Sequence, residues 1–297
     1  MRVLEFNDVH RAYQRGSEVL RGITFSLEAG EVVGLLGKNG AGKTTLIRVA
    51  MGMIEAQKGS AKVFGLDPRT DALEVKRRVG YVSEDQVLPE FLSVGEVIRL
   101  HRGLFPTWDE NLERRLREQF ALSPKSKIKS LSKGQARQVA LLCAVAHRPE
   151  LLLLDEPAGG LDPSARREFL ETSIQLLNEA GTTILFSSHH MTDVERMAGR
   201  IVMIHEGRLL LDNTLDDLRE KYTLVLVPSG SDDRHARLKS ATGCLSVRDQ
   251  GEALHAIFSM EPERCRSVME RDLGIPNAYC TPIALEDMFI ELVGGRS

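Results

Sequence analysis

Over residues 3–27 the apolar positions come in short alternating runs, Val3-Leu4 and Phe6, Val19-Leu20, then Ile23, Phe25 and Leu27, broken by Asn7-Asp8 and Gly16-Ser17. That pattern predicts antiparallel strands joined by turns. Residues 31–36 (Glu-Val-Val-Gly-Leu-Leu) have the length and flanks of a buried strand, and residues 45–51 read as a helix. A strand over 61–64, a helix over 71–78 and a strand-then-loop over 80–85 follow. From 93 to 122 the period changes to that of helices, with Val94, Val97, Ile98, Leu100 and Leu104, then Leu112, Leu116 and Phe120, interrupted at Phe105-Pro106-Thr107-Trp108-Asp109. With a further helix over 136–147, this makes a helical insert spanning about 85–150. Leu151-Leu152-Leu153-Leu154 and Ile184-Leu185-Phe186 are continuous apolar runs, expected as strands covered on both faces. After Tyr222 the texture shifts to short strands over 224–227, 245–247, 256–259 and 279–281, with helices over 234–240, 262–273 and 284–292. The expectation is one domain over 1–222 and a small α+β domain over 223–297, of ferredoxin-like type.

The chemistry concentrates between the first buried strand and its helix. Gly37, Lys38, Asn39, Gly40, Ala41, Gly42, Lys43 and Thr44 fit the phosphate-loop pattern G-x-x-x-x-G-K-[ST] without a gap. The glycines let backbone N–H groups turn inward, and the helix start at Thr45 adds partial positive charge, so phosphate oxygens are held mostly by main chain. Lys43 supplies a point charge and Thr44 a magnesium ligand. This predicts an α/β P-loop NTPase core preceded by an antiparallel β subdomain.

Asp155 and Glu156 end the four-leucine strand at the edge where open α/β sheets place ligands, and adjacent acids there need a cation. Asp155 is expected on the magnesium; Glu156, pointing the other way by strand alternation, is expected to face the attacking water. His189 follows the next buried strand, where it can donate to a terminal phosphate. Ser132 is placed to cap the helix after it, or to open a second phosphate-binding helix N-terminus. Tyr13 either packs plainly or stacks on a base through its ring face.

Composition narrows the class. The 297 residues are 42% hydrophobic and 27% charged with net charge −3, an ordinary globular balance without a basic field for nucleic acid. Cys143, Cys244, Cys265 and Cys280 form no C-x-x-C pair, which suggests neither a disulfide framework nor a metal site. No basic-then-apolar leader opens the chain, and its longest apolar run, 139–146, is far short of the roughly 20 residues of a membrane span. A cytoplasmic chain is expected.

Taken in order, these residues resemble the ATP-binding cassette subunit of an ABC transporter, over about residues 1–222. Gly-Lys-Asn-Gly-Ala-Gly-Lys-Thr is similar to Walker A, Leu131-Ser132-Lys133-Gly134-Gln135 to the signature motif, and 151–156 to Walker B with its catalytic glutamate. Gly160-Leu161-Asp162 resembles the D-loop, His189 the switch histidine and Tyr13 the adenine-stacking aromatic. The resemblance implies Mg-ATP held between two cassettes, identical or different, paired head to tail. Each ATP would lie between the Walker A loop of one and Ser132, Gly134 and Gln135 of the other. It also implies membrane-spanning permease partners, and a peripheral place at the cytoplasmic face of the membrane. The signature, the Phe105 to Asp109 interruption and Ala284-Leu285-Glu286-Asp287-Met288-Phe289 resemble the bacterial ABC-2-type exporter branch. Glu84 stands where most cassettes carry a glutamine, and Lys133 where most carry a signature glycine. A carboxylate at Glu84 could still reach magnesium, but it would add negative charge near the terminal phosphate, so the family's glutamine chemistry does not carry over directly to this position. Two other functions compete with transport: a mechanical ATPase acting on nucleoprotein, and a regulatory module that binds nucleotide with little hydrolysis. The first usually brings two cassettes or long heptad arms; the second is disfavoured by the presence of both Glu156 and His189.

Overall fold

Strands β1 (Arg2–Gln14) and β2 (Ser17–Glu28) pair antiparallel, because Leu4, Phe6, Val9, Leu20, Ile23, Phe25 and Leu27 turn inward from their alternating positions. β3 (Val32–Leu36) follows, then α1 (Lys43–Ala50), and β4 (Lys58–Val63) returns to complete a three-stranded sheet in the order β2-β1-β4. The computed structural model describes residues 1–14, 16–85, 88–228 and 233–294.

α2 (Ala72–Arg78) leads into β5 (Val79–Val82), and the helical insert begins at α3 (Val94–Arg102). Ser93 and Glu96 close a reciprocal capping box there, and the Asp109 carboxylate accepts the first free N–H groups of α4 (Glu110–Gln119). α5 (Lys133–Val145) starts three residues earlier than its apolar pattern predicts, because Ser132 and Gln135 form a second capping box; it stops at Val145, short of the expected residue 147. β6 (Leu151–Leu154), α6 (Pro163–Ala180), β7 (Thr183–Ser188), α7 (Met191–Met197), β8 (Arg200–His205) and β9 (Arg208–Thr214) complete this part. α6, α7, β8 and β9 were not among the expected elements.

The six-stranded sheet runs β5-β6-β7-β3-β8-β9. β3 is parallel to β7 and β8, and β6 is parallel to β5 and β7. Leu151, Leu152, Leu153 and Leu154 are completely buried, as a strand covered on both faces must be. In register, Leu36 lies opposite Ser188, Leu154 opposite Phe186 and Val82 opposite Leu154. The loops after β3, β5, β6 and β7 therefore leave from one carboxyl edge, where such sheets bind ligands.

The chain divides into Met1–Asp212 and Asn213–Ser297. The boundary falls before α8 (Leu215–Lys221), not after residue 222 as expected. The reason is local: α8 packs against a strand of the second unit, and the Tyr222 carbonyl accepts a hydrogen bond from the Ile283 N–H at 3.2 Å. That unit continues with β10 (Thr223–Pro228), α9 (Asp233–Ser240), β11 (Cys244–Asp249), β12 (Ala253–Phe258), α10 (Pro262–Arg271), β13 (Tyr279–Pro282) and α11 (Leu285–Gly294). From β10 to β13 the order is β-α-β-β-α-β, and the sheet runs β11-β12-β10-β13 with antiparallel pairing throughout, the ferredoxin-like arrangement. Val225, Val227, Leu254, Ala256, Phe258, Cys265 and Met269 form its core.

Candidate active site

The loop between β3 and α1 is shaped by its neighbours. A Cβ on Gly37 would stand 2.4 Å from the Ile204 carbonyl oxygen; one on Gly42, whose φ is +109°, would stand 2.7 Å from a Leu20 methyl. Both positions demand glycine. Lys38, Asn39 and Gly40 are exposed along the loop, Ala41 and Gly42 are buried, and Lys43 opens α1. Tyr13, Val19, Asn39, Gly40, Ala41, Gly42, Lys43, Thr44, Thr45, Glu84 and Glu156 line a cleft of about 460 Å³, within the range of small-molecule sites.

The buried Lys43 ammonium donates to the Gly37 carbonyl at 2.6 Å and lies 3.1 Å from Glu156 Oε1. Glu156 Oε1 receives no hydrogen bond, so this contact is an ion pair only. Its other oxygen, Oε2, accepts from His189 Nδ1 at 2.9 Å, which places the imidazole proton on Nδ1. Thr44 Oγ1 donates to Asp155 Oδ1 at 3.1 Å, and Ser187 Oγ donates to the same oxygen at 2.8 Å. Burial pushes the Asp155 carboxyl above the ordinary range, opposed by the Ser187 and Thr44 hydroxyls. A cation beside Asp155 would offset that cost.

These donors fit a hard divalent cation. Thr44 and Asp155 present oxygen only, and no group of three His, Cys, Asp or Glu gathers for a metal among the described residues. That suits magnesium, which is typically bound through one or two carboxylates plus phosphate oxygens and water. Glu84 differs from these two: its side chain is exposed on the cleft rim, and its main-chain carbonyl is taken by Arg137.

One step of the sequence argument needs correcting. β6 ends at Leu154, and Glu156 has φ +44°, in the left-handed region. A turn, not strand alternation, aims its carboxylate. Tyr13 stands half-exposed at the cleft, its hydroxyl 3.3 Å from Thr45 Oγ1 and the Arg11 guanidinium 5.4 Å from its ring centre. Ser132, Gly134 and Gln135 are not brought to this cleft. Ser132 and Gln135 satisfy each other's backbone groups at the start of α5, at 3.0 and 3.1 Å.

Ser187 was not singled out from the sequence, yet its hydroxyl both donates to Asp155 and accepts the Glu156 N–H at 2.8 Å. The available signal was a hydroxyl residue ending a buried strand two positions before His189.

A glycine-shaped loop between strand and helix, a buried lysine facing the Glu156 carboxylate beside Asp155 and a central parallel sheet define a P-loop nucleoside-triphosphatase. The family model described as ABC transporter matches residues 20–159. Among similar proteins, the linearmycin resistance ATP-binding protein LnrL of Bacillus subtilis (strain 168) is 33% identical, covering 73% of this chain and 70% of that protein. The Nod factor export ATP-binding protein I of Burkholderia lata is 31% identical over 98% of this chain and 97% of that one. The ABC transporter ATP-binding protein YtrB of Bacillus subtilis (strain 168) is 27% identical over 99% of each chain. A solved ATP-binding subunit of an ABC transporter matches with TM-score 0.65 and 33% identity, covering 73% of this chain and 92% of that chain. A dimeric post-hydrolysis ATP-binding cassette bound to ADP and Pi shares the fold, with TM-score 0.63 at 21% identity, over 71% of this chain and 98% of that one. The chain belongs to the ATP-binding subunits of ABC transporters and is an ATPase. Among the described residues, no helix is long and apolar enough to cross a membrane.

Proposed function

We propose that this chain hydrolyses Mg-ATP as one half of a head-to-tail cassette pair and drives membrane-spanning partner subunits in export, working peripherally at the cytoplasmic face. The observation that carries the reading is two linked groups at one sheet edge, Lys43–Glu156–His189 and Thr44–Asp155, each joined within 3.1 Å and bridged by Ser187 at 2.8 Å. Exposed Ser132 on α5, outside that cleft, supports completion of the site by a second cassette, identical or different.

In this reading the 37–44 loop holds the phosphates by main-chain N–H groups, and Lys43 exchanges Glu156 for a phosphate oxygen. Thr44 and Asp155 would hold magnesium, which would neutralise phosphate charge when bound, and the Glu84 carboxylate on the cleft rim would be a further oxygen donor. Glu156 then orients the attacking water, and His189 moves its hydrogen bond to the terminal phosphate. Tyr13 stacks on the adenine. Ser132, Gly134 and Gln135 act on the nucleotide of the partner cassette. Export as the direction is supported by the printed name of the Burkholderia relative, Nod factor export ATP-binding protein I.

The test is whether the reading frame neighbouring this gene encodes a multi-span subunit that co-purifies with this chain on co-expression, with Mg-ATP hydrolysis of the purified assembly measured. Co-purification with stimulated hydrolysis is expected; a chain that hydrolyses ATP but never retains such a subunit would overturn the transport assignment.

A further inference from the structure

Arg137, one turn into α5, spreads its guanidinium over the backbone of two separate loops. Its Nη1 donates to the Glu156 carbonyl at 2.9 Å and the Pro157 carbonyl at 3.0 Å. Its Nη2 donates to the Glu84 carbonyl at 2.8 Å and the Gly159 carbonyl at 3.0 Å. The planar fork of arginine suits this bridging, whereas a lysine is a single point donor on a flexible stem. Glu156 is held at φ +44°, a conformation a side-chain-bearing residue keeps only where its surroundings over-determine it.

We infer that Arg137 is a positioning residue for hydrolysis: it pins the left-handed turn that aims Glu156 into the cleft and ties that turn to the loop carrying Glu84. The inference rests on Glu156 being the water-orienting carboxylate. Arg137 touches neither the cleft nor the reacting atoms, since the groups it holds are main-chain carbonyls. Without the guanidinium, the turn loses the Arg137 donors on its Pro157 and Gly159 carbonyls, the Glu156 carbonyl keeps only the Gly159 N–H at 2.9 Å, and the turn drifts from its strained geometry. The phosphate loop, which Arg137 does not contact, stays as it is. The expected signature is a loss in kcat without a loss in ATP binding, because a misplacement of about 1 Å in a catalytic group costs on the order of 10²-fold in rate.

The experiment compares Arg137→Ala and Arg137→Lys with the parent full-length chain, measuring kcat for Mg-ATP hydrolysis, the Kd for a non-hydrolysable ATP analogue, and the melting temperature. A kcat at least about 10-fold lower in both variants, with Kd and melting temperature held in Arg137→Lys, is expected. Parental kcat in Arg137→Lys overturns the role of the fork, and so does weakening of analogue binding in step with kcat. Arg137→Lys keeps the charge and the aliphatic stem, so it carries the test if Arg137→Ala fails to fold. Glu156→Gln runs in the same assay. If it hydrolyses at the parental rate, the reading of Glu156 falls and takes this inference with it; if it is inactive while Arg137→Lys is parental, only the inference falls.

Discussion

The Lys43 ammonium lies 3.1 Å from Glu156 Oε1, and both side chains are about as buried as core leucines, at 5% and 6% exposure. Two residues separated by more than a hundred positions thus neutralise each other at the base of the 37–44 loop, where the proposed function places phosphate charge. On the proposed function, nucleotide entry would be an exchange of partners, in which Lys43 gives up a carboxylate for a phosphate oxygen and Glu156 keeps only His189.

From this follows the behaviour of Lys43→Ala. The loop loses its buried cation, and Glu156 becomes a buried carboxylate without its ion pair, so both phosphate attraction and the local fold suffer. Nucleotide binding should be abolished, and titration calorimetry reads this directly; unchanged affinity would remove the phosphate-loop assignment.

Glu84→Gln should leave ATPase activity equal or raised. The Glu84 contact with the rest of the site is through its main-chain carbonyl to Arg137, which the substitution keeps, while the exposed side chain only loses a negative charge near the cleft. A steady-state ATPase assay checks this, and a large fall in rate would show that the carboxylate is needed as a ligand.

His147 makes a pH prediction away from the site. Its ring stacks on Phe105 at 3.9 Å between centroids, it is 2% exposed, and burial lowers its pKa to about 4, helped by nearby His101 and opposed by backbone groups of Val79 and Cys143. Because the folded value lies below the ordinary 6.5, protons favour the unfolded chain. The stability from neutral His147 is complete above about pH 6.5 and is lost as pH falls toward about 4, amounting to up to about 3 kcal/mol. Urea midpoints between pH 7 and pH 4 should fall in the parent and fall less in His147→Phe.

What the sequence reveals and what it hides follow from how local each feature is. The 37–44 loop is legible because its glycines, lysine and threonine are contiguous and lie between a recognisable strand and helix. The ferredoxin-like order of the second unit is legible because each short strand carries its own apolar pattern. The aim of Glu156 was not: alternation assumes the strand continues, and here a left-handed turn intervenes. Arg137 and Ser187 escape for a related reason. Their partners lie 19 to 53 and 31 to 32 positions away, and nothing in a hydrophobic pattern reports a side chain that bonds to distant backbone or to a neighbouring carboxylate.

The sharpest prediction concerns Glu156→Gln. The amide keeps the size of the side chain and can still accept from His189 Nδ1, so the turn and the Arg137 contacts are preserved. What it loses is the negative charge. That charge pairs with Lys43 and would repel the terminal phosphate of a bound nucleotide, so ATP affinity should be kept or raised. Hydrolysis should fall by about 10²-fold or more, because an amide cannot take the proton of the attacking water. Asp155→Asn should differ, impairing magnesium-dependent binding itself, since Asp155 stands beside Thr44 rather than against Lys43. Each variant is incubated with Mg-ATP, and phosphate release is read beside mass by light scattering. A trapped, non-hydrolysing Glu156→Gln at twice the monomer mass is the expected result. Parental turnover in that variant would remove the catalytic role of Glu156, and an inactive variant that binds ATP yet stays monomeric, alone and with its membrane subunit, would remove the head-to-tail pair.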